Sequence, residues 1–115
     1  MANPRRGEIE VVLDGRPRVL VLTLGALAEL EAAFGAADLM ALAERFERGR
    51  LSAGDAVRIL HAGLRGAGAE ATLDEVAHMR AEGGAAGIVR AVAALLAATF
   101  GAGEAVGPPP PPQGA

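Results

Sequence analysis

Polar and apolar residues alternate from Gly7 to Leu13. Ile9, Val11 and Leu13 stand against Glu8 and Glu10, the two-residue period of a half-buried strand. A second run, Arg18 to Leu22, returns after a turn signal at Asp14-Gly15. A loop of Asp14-Gly15 alone, or of Asp14 through Pro17, gives one pairing parity. It sets Ile9, Val11, Leu13, Leu20 and Leu22 on one face, and Val12, Val19 and Val21 on the other with the two glutamates. A three-residue loop would put Leu20 and Leu22 among the glutamates and is rejected. Pro17 has no N–H to donate, so it belongs at a non-hydrogen-bonded pair or in the turn. A hairpin alone is marginal in water, so it needs helices on one face or strands from a partner.

From Thr23 onward the period becomes helical. A first helix, about Leu24 to Phe34, carries Leu27, Leu30 and Phe34 on one stripe, between a Thr23 cap and a Gly35 stop. Asp38 opens a second, with Leu39, Leu42, Ala43 and Phe46 inward, Glu44 and Arg48 paired on the far side, and Gly49 as its stop. Ser52 with Asp55 opens a third, with Val57, Leu60 and Leu64 inward and Gly66 and Gly68 after it. Thr72 with Glu75 opens a short fourth that carries Val76 and Met79 and ends at Gly83-Gly84.

The fifth helix, about Ala85 to Phe100, aligns Ile88, Val92, Leu95, Leu96 and Phe100. Arg90 is its only charge and most of its remaining surface is alanine, so it is expected either central in the core or covered by something else. The predicted class is α+β, an N-terminal β-hairpin followed by a bundle of four to five short α-helices. Residues 1–6 are an N-terminal arm, 7–101 a single α+β domain, and 102–115 a disordered Pro/Gly-rich tail, dispensable for folding. The five consecutive prolines in that tail favour an extended polyproline II segment.

Composition narrows the function. The net charge is −3 and the eleven basic residues, all arginine, are spread along the chain, which argues against sequence-independent nucleic-acid binding. The absence of lysine, beside 27 alanines, 16 glycines and 7 prolines, reads as a GC-rich codon bias rather than phosphate recognition. Without cysteine there are no disulfides and no thiolate metal site. No signal peptide and no membrane span is apparent, so a cytoplasmic protein is expected.

Nor does the chain present catalytic chemistry. His61 and His78 fall on different predicted helices without a second ligand at metal-binding spacing, so no metal or other cofactor is expected. Ser52, Thr23 and Thr72 serve as caps. Asp74 and Glu75 complement a helix dipole, and Glu29 and Glu31 straddle an exposed face. The run Gly83-Gly84-Ala85-Ala86-Gly87 lacks the Gly-Lys-Ser/Thr ending of a phosphate loop. A non-enzymatic binding protein is the expectation.

The stretch RRGEIEVVLDGRPRVLVLTLGALAELEAAFG carries a resemblance, joined by the Gly-Arg-Leu exit of the second helix, LHAGLRGAG and the AEGGAAG run. Together they resemble the small proteins of phage-derived gene transfer agents that are grouped with phage tail assembly chaperones. The similarity runs from about Asn3 to Phe100 and leaves the proline tail outside. It implies a partner, the tape-measure protein or another tail protein, kept soluble until the tail tube polymerises around it. It brings no catalytic residues. A structural tail component retained in the particle and a small non-catalytic regulatory module stay open as alternatives.

Two surfaces are candidates for binding a partner: the hairpin face of Val12, Val19 and Val21, and the outer side of the fifth helix with Arg90, Ala94 and Ala97. The same residues would serve equally as ordinary core or as the interface of a homo-oligomer.

Overall fold

A computed structural model describes residues 2–48 and 51–101 of the chain. Gly49, the expected stop of the second helix, and the tail 102–115 lie outside the described residues. Strands β1 (Glu8–Leu13) and β2 (Arg16–Val21) pair antiparallel, with Leu13 opposite Arg16 and Ile9 opposite Leu20. The loop is therefore Asp14-Gly15 alone, and its two residues have φ of 53° and 77°, as a type I′ turn requires. Val12 lies opposite Pro17, and the Val12 carbonyl turns away from β2 to accept the Glu82 N–H at 3.1 Å. By the alternation of an antiparallel ladder, Pro17 thus sits at a non-hydrogen-bonded pair. Leu13, Leu20 and Leu22 are buried, with Ile9 and Val11 packed partly buried beside them.

Gly15→Val should cost about 1–2 kcal/mol, the penalty for a β-carbon in the left-handed region. Thermal denaturation followed by circular dichroism checks this. An unchanged midpoint would mean that the turn does not hold Gly15 at positive φ.

Five helices follow the hairpin: α1 (Leu24–Phe34), α2 (Leu39–Glu47), α3 (Ala53–Gly66), α4 (Leu73–Ala77) and α5 (Gly84–Leu96). Side chains set the starts of the first four, whereas α5 begins after Gly83 with no side-chain cap. Thr23 Oγ1 accepts the Ala26 N–H at 3.1 Å and Asp38 Oδ1 accepts that of Ala41 at 2.9 Å. Ser52 with Asp55, and Thr72 with Glu75, form reciprocal capping boxes. Gly35, at φ 69°, ends α1. After α5 the backbone widens into a π-helical turn, Ala97–Gly101, where the Thr99 hydroxyl donates to the Leu95 carbonyl at 2.7 Å. Phe34, Phe46 and Phe100 meet there, with ring centroids 5.7 and 6.2 Å apart in sequence order.

Three features depart from the sequence-based expectation. First, α4 stops at Ala77 rather than at the glycine pair, and Met79 follows it. The chain beyond runs beside the end of β1: Asp14 N–H donates to the Arg80 carbonyl at 2.7 Å, Arg80 N–H to Asp14 Oδ1 at 2.9 Å, and Ala81 bridges Leu13. Strand-like pairing there satisfies backbone groups on the outer edge of β1, which competes with another helical turn.

Second, Gly66 closes α3 instead of following it. A β-carbon at Gly66 would lie 2.0 Å from the Val21 carbonyl oxygen, so this glycine lets the helix touch β2. Gly63 faces Leu20 and Leu95 less closely but still tightly, with 3.1 and 3.0 Å from a β-carbon to the nearest atoms. The stripe that meets the sheet is therefore Ile59, Gly63 and Gly66, one helix face by spacing. Ile59 is fully buried and Val57 is rolled to the rim.

Third, Leu39 leaves the α2 stripe for the surface, where it is 41 % exposed, while Leu42 and Phe46 stay buried. Among the described residues Arg45 rather than Arg48 has partners: it stacks 5.0 Å from the Phe34 ring centroid and lies 4.0 Å from Asp55.

The core runs between the hairpin and the helices, with Leu20, Leu42, Ile59 and Leu95 fully enclosed. On α5, Gly87, Ala91, Val92 and Leu95 are buried, while Val89, Arg90, Ala93 and Ala94 face outward. This helix is therefore not central, and among the described residues nothing covers its outer side. Among the described residues, no helix is long and apolar enough to cross a membrane.

Candidate functional site

Because α3 turns its glycines to the sheet, its first two turns face α4 with short side chains, Ala53 and Ala56. Ala77 on α4 is equally short. These alanines do not fill the space between the helices. The result is a cavity of about 200 Å³ lined by Leu13, Ala53, Ala56, Val57, Leu60, Val76, Ala77, Met79 and Ile88. Every lining residue is apolar. Leu13, Leu60 and Val76 are buried and form the floor, Val57, Met79 and Ile88 are half-buried walls, and Ala53 and Ala77 are exposed at the rim. Such a site offers no acid, base or nucleophile. It can take a large apolar side chain out of water, a gain of about 1.5–3 kcal/mol for a fully buried one.

The pocket is not legible in the sequence, where Val57, Met79 and Ile88 read as core. Its trace there is the alanines at helical spacing where a filled core would need larger side chains.

Of the residues singled out from sequence, Arg90, Ala94 and Ala97 are all exposed along one helix end, near Val89, which is 66 % exposed. Val12, Val19 and Val21 are half-buried on the hairpin face that carries Glu8 and Glu10, turned away from the core. Since α5 packs on the core side of the hairpin, the two sets form separate surfaces. Neither set lines the apolar pocket; Ile88 alone connects α5 to it.

Several polar residues have structural partners. His78 Nδ1 lies 2.8 Å from the Asp74 carbonyl oxygen, and His61 is half-buried on α3. Glu29 accepts two hydrogen bonds from Arg65 at 3.1 and 3.2 Å, an exposed pair that contributes little to stability. Among the described residues, no group of three or more His, Asp or Glu is placed to hold a metal ion.

No curated protein and no solved structure matches the chain. A family model described as "Phage tail tube protein, GTA-gp10" matches residues 6–102, which takes in the hairpin and all five helices. That description agrees with the gene-transfer-agent and phage-tail part of the resemblance seen in the sequence, and it names the tube rather than a chaperone. The chain belongs to the GTA-gp10 phage tail tube protein family.

Proposed function

We propose that this protein serves tail assembly in a phage-derived gene transfer agent as a non-catalytic, chaperone-like binding protein. Its client is a helical segment of the tape-measure protein, held in the cytoplasm until the tail forms. The observation that carries this reading is the apolar pocket between α3, α4 and α5, open at an alanine rim. A helix laid in a groove binds through large apolar anchors at helical spacing. One anchor fills the pocket, and the client then follows α5 from Ile88 along Val89, Arg90, Ala94 and Ala97. Burial of that kind is non-directional, which suits a client that must later be released.

A second reading is favoured by the family's description, which names the tail tube itself. On that reading the protein is a structural component that remains in the particle, and the same pocket receives a neighbouring tail subunit or a second copy of this chain. Mass spectrometry of purified particles separates the two. The chaperone-like role predicts that the protein is absent, or far below the copy number of the tube subunit. Recovery at tube-like copy number would overturn it in favour of the second reading.

A further inference from the structure

The outer edge of β2 is closed at the Val21 carbonyl, where Gly66 of α3 packs against it, but is open two residues earlier at Val19. The Arg80–Glu82 segment covers the end of β1, but on β2 the backbone N–H and C=O of Val19 point outward and, among the described residues, meet no hydrogen-bond partner. This edge opens onto a cleft whose floor is Leu64, Ala67 and Ala69, with Arg16 and Arg18 beside it. The two arginines are two residues apart on one strand, so they project from the same face. Among the described residues neither forms an ion pair, and Arg18 Nε is buried with no acceptor. A desolvated N–H without an acceptor is costly, and a carboxylate is the group whose geometry matches a guanidinium edge.

We infer that this cleft binds an extended acidic segment of a protein partner, which pairs with the β2 edge at Val19 and sets two carboxylates, two residues apart, against Arg16 and Arg18. The period of a strand supplies the match: acids at alternate positions of an added strand fall on one face, opposite both arginines. A chain of net charge −3 with only two cations in the cleft does not suit a nucleic-acid backbone. This surface is separate from the apolar pocket and does not depend on it.

The probe is the labelled, end-blocked peptide Thr-Glu-Val-Glu-Val-Thr, titrated into the full chain. Binding should shift the Val19 and Ala67 amide signals and slow hydrogen exchange at Val19. The peptide with both Glu changed to Gln, and the one with its two Glu adjacent, should each bind at least tenfold more weakly. Arg18→Gln should weaken binding at least fivefold. If that variant fails to fold, Arg16→Gln carries the test, since Arg16 is exposed. Ala77→Glu, at the rim of the apolar pocket, should leave peptide binding unchanged. Equal affinity for the acidic and Gln peptides, shifts confined to residues away from β2, or displacement of the peptide by a single-stranded oligonucleotide would each overturn the inference.

Discussion

Gly66→Ala should destabilise the domain by about 3 kcal/mol or more, at the upper end of overpacking effects. The added carbon would meet the Val21 carbonyl oxygen at 2.0 Å, and no side-chain rotation relieves a clash with backbone. Either α3 must lift from β2, exposing Leu20 and Ile59, or the strand must shift and strain its ladder with β1. Total stability of a domain this size is about 5–15 kcal/mol, so the loss is a large share. The matched control is Gly54→Ala, in the first turn of the same helix. There the nearest atom is Ser52 Oγ at 3.7 Å, an ordinary contact. Removing the conformational freedom of that glycine should stabilise by about 0.4–1 kcal/mol. Urea midpoints for the two variants should therefore move in opposite directions. Equal midpoints would mean that α3 does not cross β2 at the distance described.

The contrast between these glycines marks where the sequence is legible. In the hairpin, Asp14-Gly15 and the alternation against Glu8 and Glu10 allow only one parity, which puts Ile9, Val11, Leu13, Leu20 and Leu22 on one face; the two-residue loop of the structure then pairs Ile9 with Leu20 rather than with Leu22. Helix starts were equally readable, because Thr23, Asp38, Ser52 and Thr72 each act on backbone within three residues. Contacts between elements left weaker traces. A glycine that ends a helix and one that admits a neighbouring strand look alike in sequence, so Gly66 read as a stop and the roll of α3 was lost. Val57 then reads as core, and the pocket it walls stays hidden in the sequence. The Arg80–Glu82 pairing with β1 was hidden for another reason: its residues have neither alternation nor β-branching, and long-range hydrogen bonds hold it in place.

Charge placed on the two sides of α5 and at the pocket rim should give opposite outcomes. Val92 is 2 % exposed, and Val92→Glu would bury a carboxylate without a partner. A loss of about 3–5 kcal/mol, the scale seen when a buried charge is left uncompensated, should unfold much of the population. Ala94 lies about 200° away on the helical wheel and faces outward, so Ala94→Glu should alter stability by about 0.5 kcal/mol or less. Ala77→Glu, exposed at the rim, should be similarly mild for folding. Both folded variants should lose client affinity, and Ala77→Glu more strongly, by about tenfold or more (~1.4 kcal/mol). Should Ala94→Glu unfold the domain as badly as Val92→Glu, α5 is core on both sides and the Val12, Val19 and Val21 face becomes the better surface.

The most direct measurement is co-expression of the full chain with the tape-measure protein of the same particle, followed by size-exclusion chromatography of the soluble fraction. A chaperone-like role predicts that the tape-measure protein, aggregated when expressed alone, becomes soluble and co-elutes with this chain, and that Ala77→Glu abolishes the co-elution. A tape-measure protein that stays insoluble while this chain elutes by itself or as a polymer would contradict that role.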